Sequence, residues 1–169
     1  MAFSFPQLDK IIDLQSGKKI VAKKCLTLSE DYLQDHFPRF PVMPGVIMLE
    51  AMHQASSWLV HEMTDFSHSL ILLKKARNVK YADFVAPGNE LLITAEVIKA
   101  GEKEVSLKVQ GTIDEKVAVS ARLVLEIGSI RTWYPSRSEM EPRVRQEYRQ
   151  IFASLYQPVS SPTEASFTG

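Results

Sequence analysis

The sequence predicts an α+β domain in which an antiparallel sheet of about six strands wraps around one long central helix, with a second helix at the C-terminal end. Three observations predict it. From Val46 the chain reads VIMLEAM, apolar on nearly every face, the pattern of a helix buried all round. Several other stretches alternate apolar and polar residues, or run apolar between turn residues, as strands do. Near the C-terminus, residues 138–156 place Val144, Tyr148, Ile151, Phe152 and Leu155 on one helical face.

The elements follow in order. In residues 8–14 Leu8, Lys10, Ile12 and Leu14 alternate with Asp9, Ile11 and Asp13; the segment reads as a strand, although Leu8, Ile11 and Ile12 would also share a face of a short helix. Residues 19–28 alternate Val21, Lys23, Cys25 and Thr27 with Ile20, Ala22, Lys24, Leu26 and Leu28, a half-buried strand forming a hairpin with the first across Gly17. Ser29 and the acids after it suit a single helical turn over residues 29–34. Pro38, Pro41 and Pro44 then fix φ and bias the residues before them to extended geometry, so His36 belongs to a stiff loop and the long helix begins only at Gly45, running to about Met63. Four further strands follow, Leu70–Tyr81, Glu90–Ala100, 103–113 and 116–127, with polar Gly- and acid-containing connections that read as antiparallel hairpins. Ile130 to Pro135 leave the sheet. In the last helix Ser138 and Glu141 have nearly capping-box spacing and Pro142 suits the first turn. We expect a domain over residues 1–130 and, over 131–169, a helical extension with a flexible tail too poor in apolar residues from 157 onward to fold alone.

With 169 residues, 45% of them hydrophobic, the chain can bury the core of one domain. Twenty basic residues balance twenty acidic ones, so no net field favours nucleic acid or an anionic membrane. The N-terminus lacks a basic start followed by a long apolar core, and no stretch has the length of a membrane span, which makes a cytoplasmic location the default expectation. Cys25 is the one cysteine and reads as a packed strand residue. The histidines have no zinc-type spacing, and no metal is expected. His61 and His68 read as surface or loop residues, and His53 as packed or at an interface, with a place in the pocket lining as the lesser alternative.

The chemistry concentrates in residues 35–60. Glu50 is a lone carboxyl group in an apolar helix, and burial without a partner favours its protonated form, so a raised pKa is expected. Gln54, one turn later on the same face, can hydrogen-bond to it. Gly45 at the helix start offers a backbone N–H to a developing negative oxygen. A base on a rigid loop, an acid on a buried helix and such an amide suit proton abstraction beside a carbonyl with loss of a hydroxyl group.

The ungapped run H-F-P-x-x-P-V-x-P-G-V-x-x-x-E-A-M-x-Q, residues 36–54, resembles the active-site signature of the hotdog-fold 3-hydroxyacyl-(acyl-carrier-protein) dehydratases of type II fatty acid synthesis. The resemblance implies that His36 and Glu50 form the catalytic pair. It also implies that the Val42 carbonyl orients the imidazole, that Gly45 N–H polarises the thioester carbonyl, and that Gln54 holds the acid. The activity implied is dehydration of (3R)-3-hydroxyacyl thioesters on acyl carrier protein to trans-2-enoyl thioesters, without a cofactor. A homodimer or trimer of dimers is implied, each site taking histidine from one chain and acid from the other.

Asp35 and Arg39 stand where the family usually has glycine, and His53 where it commonly has alanine or a bulkier apolar residue. Asp35 could pair with His36 or with Arg39. Residues 81–88 resemble a second family segment loosely, with Phe84 in place of a proline; Phe84 either lines an acyl tunnel with Met48 and Met52 or packs in the core. Lys74, Lys75, Arg77 and Lys80 could offer an acidic carrier a local basic patch. Two alternatives remain on the same fold: an acyl thioesterase in which the helix carboxylate activates water, and a non-catalytic carrier-binding protein of a polyketide or secondary-lipid pathway.

Overall fold

The computed structural model describes residues 5–35 and 39–158. His36, with Phe37 and Pro38, and the tail from residue 159 lie outside the described residues.

Alternation in the sequence becomes two-sidedness in the sheet. Strands β1 (Lys10–Gln15) and β2 (Lys19–Cys25) form the expected hairpin, with Gly17 at φ 70° in its turn. In β2 Ile20 and Ala22 face inward with Lys24, whose ammonium group is neutralised by Glu30 at 2.7 Å. Engaging Glu30 there delays the following helical turn, α1, to Tyr32–Asp35.

The long helix α2 occupies Gly45–Met63, as expected, and nearly all of its second half is buried. Strands β3 (Leu70–Tyr81), β4 (Glu90–Ala100), β5 (Glu104–Ile113) and β6 (Lys116–Gly128) complete a six-stranded antiparallel sheet of order β1-β2-β4-β5-β6-β3. Hairpins join β4 to β5 and β5 to β6, but β3 and β4 do not pair. Instead β3 lies beside β6 and β4 beside β2, so the connection through Pro87 and Gly88 runs to the other half of the sheet. The hairpin expected there gives way because β5 and β6 occupy the intervening places. Ile93, Leu107, Val109, Leu123 and Leu125, none of them accessible to solvent, point from the sheet into a core shared with Met52, Ala55 and Leu59 of α2. β1 carries a bulge between Ile11 and Asp13; β3, at the opposite edge, is exposed along most of its length.

Beyond the sheet, Ser129 caps a short helix, α3 (Ile130–Trp133), by accepting from Thr132 N–H, and a 3-10 segment, Pro135–Met140, leads into α4 (Glu141–Leu155). The expected capping box does not form. Glu141 is buried and accepts from the Ser69 hydroxyl at 3.1 Å and from Arg131 N–H at 3.3 Å, ties that anchor the helix to the body. The apolar face of α4 covers the C-terminal end of α2 rather than a sheet edge. Tyr148 meets Trp58 edge-on and lies 4.2 Å from the His61 ring, while Phe152 packs on Trp58 and Phe66. His61 is therefore buried, contrary to the surface position expected: Trp58 and Phe66, near in sequence, and Tyr148, from the distant α4, enclose its ring.

Candidate active site

The loop before α2 is held from below. Met43 N–H donates to the Val85 carbonyl at 2.8 Å, and Val42 and Met43 are both buried. Pro44, with φ −58° and ψ 142°, is extended, and its carbonyl accepts from Ile47 and Met48, so the helix opens at Gly45 as the prolines require. The first N–H groups of a helix have no partner within it, and the helix dipole favours negative charge beside them. At Gly45 that end faces a cavity of about 280 Å³ lined by Val42, Met43, Gly45, Met48, Tyr81 and Phe84, with Ala82 and Asp83 at its rim.

Tyr81 is the residue that sequence reasoning left out of this site. Its hydroxyl donates to the Gly45 carbonyl at 3.1 Å, and its ring lies 2.9 Å from where a β-carbon on Gly45 would stand. Only glycine permits that approach. Phe84 is 64% exposed and meets Phe40 edge-on, so it borders the cavity and is not a core residue; Met48 also lines the cavity, whereas Met52 is in the core.

Glu50, the expected acid, stands on another side of α2. It lies five positions after Gly45, which at 3.6 residues per turn sets the two positions about 140° apart around the axis. Glu50 does not line the cavity. Its Oε1 accepts from Gln54 Nε2 at 2.8 Å, the bond expected from their spacing. Gln54 is fully engaged: Nε2 also donates to the Phe5 carbonyl at 2.9 Å and Oε1 accepts from Gln7 N–H at 2.8 Å. The second oxygen of Glu50, Oε2, faces His53 Nδ1 at 3.3 Å.

Burial pushes the carboxyl pKa up, but hydrogen bonds from His53 and Gln54 and the imidazole charge outweigh it, so the net displacement is downward. The raised value expected from an apolar helix is thereby corrected: the carboxyl is only half-buried and has two donors. His53, read as packed, at an interface or lining the pocket, is in contact with Glu50 through its i, i+3 position, a spacing present in the sequence. Cys25 is half-buried in β2, and burial, Asp9 and Glu90 push its thiol pKa up, which makes it a poor nucleophile. No ion pair joins Asp35 to Arg39 among the described residues; both are exposed. His36, the expected base, lies outside the described residues, and with it the expected role of Val42 toward the imidazole.

Against known proteins, the model of the FabA-like domain matches residues 2–126, most of the chain. The chain belongs to the FabA-like family. Among its relatives, the 3-hydroxyacyl-(acyl-carrier-protein) dehydratase FabZ of Ruminiclostridium cellulolyticum is 34% identical over 72% of this chain and 85% of that protein. The enzyme of the same name from Lactococcus lactis subsp. cremoris is 33% identical over 75% of this chain and 87% of that protein. Among solved structures, the dehydratase heterocomplex ApeI:P from Xenorhabdus doucetiae superposes with a TM-score of 0.61 at 21% identity, covering 73% of this chain and 84% of that one. The six-stranded sheet around its helix is the hotdog fold. The FabA-like match contains Val42, Gly45, Glu50, His53 and Gln54 and ends before α3 and α4. Among the described residues no helix is long and apolar enough to cross a membrane.

Proposed function

We propose that this FabA-like chain dehydrates 3-hydroxyacyl thioesters on acyl carrier protein to 2-enoyl thioesters, with His36 as base and Glu50 as acid. The observation that carries the reading is the placement of Glu50: a half-buried carboxyl group held by Gln54, on the helix whose first turn borders an apolar cavity, in a chain about one-third identical to two dehydratases of that name. In the reaction His36 removes a proton from C2, and charge accumulates on the thioester oxygen. Gly45 N–H, pre-set at the positive end of α2, stabilises that oxygen without reorganising. Glu50 protonates the hydroxyl leaving C3. Apolar walls from Val42, Met48 and Phe84 suit an acyl chain. No step calls for a cofactor.

Cavity and acid on different sides of one helix suit a site completed by a second copy. Edge strand β3 supports this, since its backbone edge is unpaired and the apolar side chains of Leu72, Tyr81 and nearby Val46 and Phe84 are exposed beside it. We therefore read the working unit as at least a homodimer joined through β3, in which the acid of one chain serves the cavity of the other.

The test is formation of 2-enoyl thioester absorbance from a 3-hydroxyacyl pantetheine thioester. His36→Ala and Glu50→Gln, both still folded, are expected to lose activity by about 100-fold or more. Undiminished rates in either variant would remove that residue from the mechanism, and release of free thiol in place of the enoyl product would make the protein a thioesterase.

A further inference from the structure

Building on the reading of Glu50 as the acid, we propose that His53 is a positioning residue that stores the proton Glu50 delivers, passing it from Nδ1 to Oε2 before the hydroxyl group leaves. The two oxygens of Glu50 are not equivalent. Gln7 N–H donates to Gln54 Oε1, which fixes the amide so that its NH₂ group faces Glu50 and the Phe5 carbonyl. Oε1 of Glu50 therefore meets a donor and remains an acceptor. Only Oε2 is free to carry a proton, and Oε2 is the oxygen that faces His53 Nδ1 at 3.3 Å.

Of the two groups the carboxyl is the more open to water. The His53 side chain is 13% exposed and that of Glu50 38%. The net downward displacement of the carboxyl pKa leaves Glu50 ionised near neutral pH, so alone it has no proton to give. Among the described residues the charge acting on Glu50 is that of His53; the other groups touching it or its holder are the uncharged Gln54, Gln7 and the backbone of Phe5. An imidazole beside a carboxylate retains its proton into the pH range where a carboxyl group does not.

The step balances. The Nδ1–H bond breaks as an Oε2–H bond forms, and the hydrogen turns about the carbon–oxygen bond toward substrate. As His36 takes the C2 proton, the electrons of that bond form the C2=C3 double bond, the C3–O bond breaks, and the hydroxyl leaves with the Oε2 proton as water. Glu50 is left ionised and His53 neutral; Oε2 of Glu50, the more exposed group, then takes up a proton from solvent and returns it to Nδ1, while His36 gives its own proton to solvent.

The experiment compares kcat against pH for the wild-type chain, His53→Gln and Glu50→Gln with a 3-hydroxyacyl pantetheine thioester. Glutamine at 53 keeps an N–H donor near Oε2 and cannot carry a proton. Wild-type kcat is expected to fall on the alkaline side as the stored proton is lost. In His53→Gln that limb should move at least about one pH unit lower, and kcat at pH 7.5 should drop about 10- to 100-fold with KM changed less than about 3-fold. A His53→Gln enzyme with the wild-type limb and kcat, beside an inactive Glu50→Gln, overturns the proton store and leaves the dehydratase reading standing. A wild-type chain that forms no enoyl product, or a fully active Glu50→Gln, overturns both.

Discussion

Gly45 joins the two kinds of argument in this molecule, because its missing side chain is used twice. It leaves the first turn of α2 open to the cavity, and it lets the Tyr81 ring approach where a β-carbon would stand 2.9 Å away. Gly45→Ala is therefore expected to displace Tyr81 and cut kcat/KM about 10-fold or more, measured beside a circular dichroism spectrum that stays unchanged. Tyr81→Phe removes only the bond to the Gly45 carbonyl, and a loss of about 1 kcal/mol in a urea titration is expected. The Glu50–Gln54 bond was legible in the sequence because i, i+4 spacing on a helix leaves little choice. His53 stands at an equally good spacing, yet whether its ring turned to Glu50 or to the core depended on a rotamer that no pattern encodes. Tyr81 was hidden for a different reason: it is 36 residues from its partner, and nothing local links the end of a strand to the start of a helix.

At the level of elements, α4 is a clasp over the C-terminal end of α2, closed by aromatic rings and fixed by polar ties. Arg145 Nε donates to the Phe66 carbonyl at 2.8 Å, and Arg149 reaches Asp65 and stacks over Phe66 at 5.1 Å. Tyr148→Ala, which empties the centre of the ring cluster, should cost about 3 kcal/mol and lower Tm by roughly 6 to 12 °C in calorimetry. Burial, aided by His68, pushes the His61 pKa down to about 3 from an ordinary value of 6.5. The unfolded chain thus binds a proton that the folded chain refuses between those two values. Stability from this group is complete above about pH 6.5 and declines toward pH 3 by roughly 1 kcal/mol per pH unit. His61→Phe should flatten that part of a Tm-against-pH curve, and an unaltered slope would place the acid sensitivity elsewhere. The helix itself was legible from its apolar stripe. Where it docks was not, since an apolar stripe states only that something is covered.

For the molecule as a whole, the number of strands and the long helix followed from periodicity, whereas the order of the strands did not. Hairpin-like connections look alike in sequence whether or not the strands they join are neighbours, and β3 and β4 stand far apart because β5 and β6 fill the places between them. That order puts β3 at one edge and leaves its row of backbone groups open. In sedimentation velocity the chain is expected to run as a dimer or larger, and Leu72→Lys on β3 should shift it toward monomer and lower activity in the same proportion, since acid and cavity would then be parted. The opposite margin is a different case. The kink between Ile11 and Asp13 skews β1 out of a flat ladder, and Lys10 and Asp13 put charge along it. A ribbon that is sticky at one margin and blunted at the other has no second margin from which to polymerise, so the mass measured by light scattering should stay flat as protein concentration rises.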